Sequence, residues 1–286
     1  MTDHELQQLR REKWRIAGNP ARTSEQLAEF VESVGFCLTY PQKPMPLVPT
    51  LIGAFVGTEE GLPTFKMAFS DPRAKDATEM MVGLLRRHAA YEANFFGENN
   101  FLLAGSLFPY FYALVGERNP RHTAKAGARS DYSPLARDAF EVVRRHGPVS
   151  KQKLRQELGG GVSNAALDHA LGELWSRLRI TRVDYDASVG ASWDALYRWS
   201  PEAVRQGINM SVAEGLSALL TKYLDCVIAA ESHEVEEFFS HFVRRSRVRD
   251  ALNALLSARE LSFVPVGHRS LLQVAPARPT GSRKRA

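Results

Sequence analysis

The chain has no uninterrupted apolar run near the roughly 20 residues that a membrane-spanning helix needs. Nor does an apolar segment follow the early charges Asp3, Glu5, Arg10, Arg11 and Lys13, as a secretory signal would require. These two absences predict a cytoplasmic protein with no membrane contact. Cysteine is nearly missing: Cys37 and Cys226 are far apart and lie in apolar surroundings. Two thiols cannot build a zinc ribbon, so buried, reduced cysteines are expected rather than a disulfide or a metal site. There is also no phosphate-binding loop, no nucleophile elbow and no dinucleotide fingerprint. Gly159-Gly160-Gly161 lacks a following lysine, and is explained as a sharp turn that only glycine enters without steric cost. No cofactor is expected.

What remains is an ordinary soluble globular composition. The 286 residues are 44% hydrophobic and 24% charged, with room for about two domains. The net charge of +5 is unevenly placed. Ten of the 37 Lys and Arg lie between His241 and Ala286, with only two of the 32 Asp and Glu. The rest of the chain is therefore slightly acidic, and a polyanion is expected to bind the C-terminal stretch.

The segment from Asp131 to Trp199 reads as a winged helix. Ser133-Pro134 caps and opens a helix that carries Leu135, Ala139, Phe140 and Val143 and stops at Gly147. Ser150 caps a second helix to Leu158. Ser163 caps a third, with Leu167, Ala170, Leu171, Leu174 and Leu178 as its buried stripe. Arg179 to Val183 and Ala195 to Trp199 are expected as the two wing strands, joined by a loop from Asp184 to Asp194.

The pattern recurs after a connector from Pro201 to Met210. Ser211 with Glu214, Ser232 and Ser246 each mark a helix start. Leu261 to Val266 and Arg269 to Val274 form a hairpin across Gly267-His268.

Nearer the N-terminus, Thr23 to Gln26 is a capping box into a helix with Leu27, Phe30, Val31 and Val34 on one face. Strands are expected at Phe36 to Tyr40, Leu51 to Val56 and Phe65 to Phe69, and a helix from about Asp76 to Tyr91. The aromatic run Phe95 to Leu114 is expected as a buried core helix interrupted near Pro109, not a base-stacking platform.

The expected fold class is thus α+β and mostly helical, with tandem winged helix-turn-helix modules behind an N-terminal α/β domain. Expected boundaries are residues 1–116 for that N-terminal domain and 117–130 for a linker. The winged helices then occupy 131–205 and 206–275, and a disordered basic tail occupies 276–286.

The third helix of a winged helix normally enters the major groove. In the second copy Arg244, Arg245, Arg247 and Arg249 flank the start of that helix, and are the candidate phosphate contacts. Arg177 and Arg179 of the first copy are secondary candidates. That copy otherwise presents Asn164, Asp168, His169 and Glu173, and its wing carries Asp184, Asp186 and Asp194, which repel phosphate. His233, Glu237 and His241 share a helical face, but with no fourth ligand no metal site is expected.

Several stretches resemble the YcaQ/AlkZ-like winged-helix family, bacterial DNA glycosylases that unhook interstrand crosslinks. They are His146-Gly147-Pro148-Val149-Ser150, Leu196-Tyr197-Arg198-Trp199, the helix from Ser211 to Tyr223, Val34-Gly35-Phe36-Cys37-Leu38, and Ser106-Leu107-Phe108-Pro109-Tyr110. The resemblance implies tandem winged helices curved into a basic channel for double-stranded DNA, and a role in repair. The family positions its hydrolytic water with a glutamine, an apolar residue, then glutamine or aspartate. The corresponding place here, around Leu38, Thr39 and Tyr40, reads Cys-Leu-Thr-Tyr from Cys37. The catalytic motif is absent, so the resemblance implies duplex DNA binding and does not carry base excision with it.

An active divergent glycosylase needs a relocated ionisable side chain near Thr39, facing the same channel as the arginines. A transcriptional regulator needs symmetric dimers, whereas a monomer is favoured here.

Overall fold

The computed structural model describes residues 1–43, 46–68, 70–96, 99–122, 132–186 and 188–276. Most of the expected linker and all but the first residue of the expected tail lie outside them. The elements run α1 (Asp3–Lys13), α2 (Ser24–Val34), β1 (Phe36–Leu38), α3 (Leu51–Val56), α4 (Pro72–Arg86), β2 (Ala90–Phe96), β3 (Asn99–Ala104) and α5 (Phe108–Val115). There follow α6 (Pro134–His146), β4 (Val149–Ser150), α7 (Lys151–Glu157), α8 (Asn164–Trp175), β5 (Ile180–Asp186), β6 (Gly190–Ala195), α9 (Leu196–Trp199) and α10 (Pro201–Asn209). The chain closes with α11 (Val212–Val227), α12 (Ser232–Ser240), α13 (Arg245–Ser257), β7 (Leu261–Val266) and β8 (Arg269–Val274). No helix among the described residues is long and apolar enough to cross a membrane.

Two winged helices are present in tandem. In the first, α6, α7 and α8 pack beneath an antiparallel sheet of order β4-β6-β5. In the second, α11, α12 and α13 precede the β7-β8 hairpin, whose register runs from Leu261 opposite Val274 to Val266 opposite Arg269. Side-chain caps set several starts, because the first four N–H groups of a helix lack intrahelical partners. Ser133, Ser150, Ser163 and Ser211 each accept from the backbone three residues on.

Where apolar periodicity is weak, the structure departs from expectation. Residues 51–56 are a helix rather than a strand: Thr50 accepts from the Gly53 amide at 3.0 Å, and burial on every side erases the helical rhythm. Phe65–Met67 is one 3-10 turn, not a strand. The expected helix over 76–91 starts earlier, at Pro72 behind an Asp71 cap, and gives way to strand β2 at Ala90. Within 95–114 the chain pairs as β3 before turning helical at Phe108, since a short apolar run fits a buried strand as well as a helix. The second strand of the first wing is 190–195, and 196–199 coil into α9. The 201–210 connector is helix α10, opened by a proline in its first turn. Glu231, not Ser232, caps α12, and α13 begins one residue before Ser246 with no side-chain cap at all.

The apolar cores do not follow the order of the chain. The first winged helix encloses its own core around Phe140, Leu171, Leu174 and Trp193. The N-terminal segment and the second winged helix share another. Phe36 sits at their junction, with Phe101 and Phe111 of its own half at 5.8 and 6.0 Å and Phe238 and Tyr223 of the other at 5.6 and 6.0 Å. Helix α5 lies tightly against α10 and α11: a Cβ on Gly207 would meet the Pro109 carbonyl at 2.7 Å, and one on Gly215 the Tyr110 carbonyl at 2.9 Å. At the other end of α11, the buried Arg10 donates to the Val227 and Ala229 carbonyls at 2.8 and 2.5 Å.

Truncating a fully buried phenylalanine removes both transfer energy and packing. Phe36→Ala is therefore expected to cost about 3–5 kcal/mol in chemical denaturation. Tryptophan fluorescence of Trp14, which donates to the Cys226 carbonyl, should report the same transition as circular dichroism of the whole chain. An N-terminal half that melts separately would contradict the shared core.

Candidate functional site

Strand β1 ends beside two cavities. The larger, a cleft of about 1420 Å³, opens between the segment that follows β1 and helix α12. One wall carries Pro41, Lys43, Pro46, Pro49 and Lys66, and the other carries Tyr223, Glu234, Glu237, Phe238 and His241. The smaller holds about 140 Å³, lined by Tyr40, Phe65, Thr78, Glu92, Arg182, Asp184 and Tyr185 with several apolar groups. Phe65 lines both, and its ring stands edge-on to Tyr40 at 6.2 Å.

Of Leu38, Thr39 and Tyr40, the residues expected from the resemblance at the water-activating position, only Tyr40 lines one of these spaces. Leu38 and Thr39 are fully buried. The Leu38 amide donates to the Pro49 carbonyl at 3.0 Å, and the Thr39 hydroxyl to Met81 Sδ at 3.5 Å. Tyr40 reaches the small cavity, but its hydroxyl lies 3.1 Å from the Ala74 carbonyl and 2.6 Å from the Thr78 hydroxyl. Burial pushes its pKa up, so it stays protonated. Burial likewise raises the Cys37 thiol, which leaves no thiolate there.

Chemistry-bearing groups missed by the sequence reading lie nearby. On β2, Tyr91 points to one face and stacks on Phe108 at 4.0 Å, while Glu92 points to the other. Glu92, 1% exposed, takes a 2.7 Å bond from Arg182 of the first wing, whose guanidinium lies 4.6 Å over the Trp175 ring. Its second oxygen has no hydrogen-bond partner among the described residues. Burial raises the Glu92 pKa, and the Arg182 charge opposes that shift. A lone acid in the apolar run Ala90–Phe96 is the sequence signal that marked it. The buried Tyr223 hydroxyl, on the wall of the cleft, also lacks a partner among the described residues. Glu234 accepts from the Glu231 amide as part of a helix cap, whereas Glu237 is exposed.

The arginines divide. Arg244, Arg245, Arg247 and Arg249 are all exposed at the start of α13. Arg249 and Arg245 reach Glu236 at 2.9 and 3.9 Å, and Arg244 and Arg247 form no ion pair among the described residues. At about 100° per residue, Glu236 stands roughly 150° around α12 from the face that lines the cleft. The arginines at Glu236 and the cleft thus lie on opposite sides of one helix. Arg177 is half-buried over the Tyr132 ring at 4.9 Å. Arg179 must be withdrawn as a phosphate contact: it is 3% exposed, pairs with Glu117 and packs on Phe140 at 4.0 Å. Among the described residues, no cluster of three His, Cys, Asp or Glu is disposed to hold a metal ion.

Comparison with known proteins adds two findings. A family model described as DNA glycosylase AlkZ-like matches residues 73–286. The solved structure of Streptomyces sahachiroi DNA glycosylase AlkZ is similar with a TM-score of 0.55 at 12% sequence identity, over 96% of this chain and 70% of that one. At that identity the likeness is one of fold. Among curated proteins none matches in sequence.

The Glu92 shift implies that burial costs the carboxylate more than Arg182 returns. A neutral Glu92→Gln variant is therefore expected to lose less than about 2 kcal/mol, whereas Arg182→Ala, leaving a lone buried acid, should lose about 3–5. Because the folded pKa is raised, the Glu92 contribution is full below the unfolded value and declines as pH rises through the folded one. Denaturation at pH 4 and pH 8 should accordingly narrow the gap between Arg182→Ala and the parent at the acid end. A gap that widens on acidification would contradict the assignment.

Proposed function

The chain belongs to the AlkZ-like DNA glycosylase family, and from that premise we propose that it is a repair protein that grips duplex DNA at the N-terminus of α13. The supporting observation is the combination of an uncapped helix start with four exposed arginines. Free N–H groups and the positive end of the helix dipole attract a phosphate, and guanidinium groups neutralise its neighbours. The first winged helix supplies little of this charge. Asp184 of its wing is paired with Arg86, Asp186 is turned onto its own loop, and Lys151 is held by Asp168. Its part in this reading is to carry Arg182 and Tyr185 to the small cavity.

The premise also sets a limit. The family match begins at residue 73, so Leu38, Thr39 and Tyr40 lie outside it. Hydrolysis of a glycosidic bond needs a group that polarises water or stabilises the oxocarbenium ion, and these three residues offer none in a usable position. A second reading, cleavage from the cleft, is favoured by Glu237, His241 and the unpartnered Tyr223 hydroxyl sharing one wall of that space.

Duplex affinity measured across a salt series is expected to fall steeply. Replacing Arg244, Arg245, Arg247 and Arg249 together by alanine should flatten the log–log slope by roughly 3 to 4 units. An unchanged slope would remove the arginines from the interface. On a duplex carrying an alkylated base, abasic sites that form with the parent and drop about 100-fold in Glu237→Gln would establish the second reading. Tight binding with no abasic product would leave the first.

A further inference from the structure

Just past helix α11 the backbone is strained. Ile228 has φ +67° and ψ −54°, and the Ala229 amide donates back to the Val227 carbonyl at 2.8 Å. That is a γ-turn of the rare hand, built on a β-branched residue, for which positive φ is a steric outlier. Such strain persists only where surrounding contacts over-determine it. Here the contact is Arg10 of α1. It is 7% exposed, donates to the carbonyls on both sides of Ile228, and forms no ion pair among the described residues. The β7–β8 hairpin hangs on the same turn, because Ala230 exchanges backbone bonds with Leu272 at 3.0 and 2.8 Å. The base of the hairpin, at Leu261 and Leu272, is buried in the shared core. Its tip is not: Val266 and Leu271 belong to a separate small cluster with Leu6 of α1 and Ala229. Beside them Arg269 is held by Asp3 of α1 and, at 3.2 Å, by Glu231. Arg269 and Asp3 both stay half-exposed, so an anion from solution can reach this pair.

We propose that α1 is a releasable strap, which holds the hairpin tip closed against the strained turn at Ile228 until a duplex phosphate takes Arg269 from Asp3. A ligand shifts a conformational equilibrium only through a difference in its contacts with the two states. Here that difference is explicit. Closed, Arg269 is neutralised by two carboxylates; open, it is free to pair with phosphate. Once the Asp3 pair breaks, the first turns of α1 keep only the small cluster, and relaxation of Ile228 favours release. Arg269 belongs to the wing of the module that carries α13, and the duplex gripped there is the source of the phosphate. The proposal rests on the DNA-binding reading above and deepens it by giving that site a regulatory contact.

The test follows backbone hydrogen exchange of the full chain by mass spectrometry, alone and with a duplex. Variants are Arg10→Met, Ile228→Gly, the two combined, Asp3→Asn and, as a charge control elsewhere on α1, Glu12→Gln. Arg10→Met removes the clamp, and exchange over residues 264–271 is expected to rise roughly tenfold or more, with α6 to α8 unchanged. Glycine enters positive φ freely, so adding Ile228→Gly should return that exchange toward the parent rate. An unchanged rate in Arg10→Met, or a combined variant faster than it, overturns the strained clamp. Should Arg10→Met not fold, Asp3→Asn decides alone. Bound duplex is expected to speed exchange of residues 3–9 in the parent, where simple coverage would slow it. Asp3→Asn should bind duplex roughly threefold or more tightly, and Glu12→Gln about as the parent does. Duplex binding with residues 3–9 slowed or unchanged, or equal gains from Asp3→Asn and Glu12→Gln, overturns the proposal and leaves the DNA reading standing. No duplex binding by the folded parent overturns the two together.

Discussion

The aromatic junction around Phe36 is the constraint on which the rest of the molecule depends. Residues from opposite ends of the chain meet there, and Tyr223 and Phe238 of the second winged helix close over the sheet that β1 forms with β3. Interiors pack at crystal-like density, so this contact fixes the distance and angle between the two halves. The cleft is a consequence. Its walls are the segment leaving β1 and the exposed side of α12, and both are anchored one turn away in the same core. Arg10 and Trp14 fasten α1 to the far end of α11, which closes the arrangement.

A second constraint joins the first winged helix to that frame. The Glu92 backbone carbonyl accepts from Trp175 Nε1 at 2.8 Å and from the Thr181 hydroxyl at 3.1 Å, and its side chain pairs with Arg182. One residue of β2 thus holds both the helix and the wing of a separately cored module. Ion pairs buried this way contribute little net stability, because desolvation cancels most of the attraction. Their effect is on geometry, and here it sets the shape of the cavity beside Tyr40.

Much of this was legible in the sequence wherever local chemistry acts alone. The serine caps at 133, 150, 163 and 211, the Thr23 capping box and the Gly267-His268 hairpin were all readable, because each is decided within a few residues. The tandem winged helices followed from them. The failures cluster where tertiary burial overrides local pattern. Residues 51–56 and 101–104 are apolar throughout, so periodicity could not separate helix from strand. The arginine cluster was visible as charge, but Arg179 was misjudged, because nothing in its neighbours announces the Phe140 ring and Glu117 that bury it. Glu92 was passed over for the opposite reason: its meaning comes from a partner 90 residues away. The assignment of Cys37 to Tyr40 to the place of the water-activating pair remains an expectation from the resemblance, because the family match begins at residue 73; the structure shows only that Leu38 and Thr39 are buried there.

The central claim is that duplex DNA is held at the start of α13. It is tested most directly by photo-cross-linking a duplex substituted with halogenated uracil, then mapping the adducts by mass spectrometry on the full chain. The account predicts adducts on peptides that contain residues 244–249. Adducts confined to the first wing, residues 184–194, with none on α13 would contradict it.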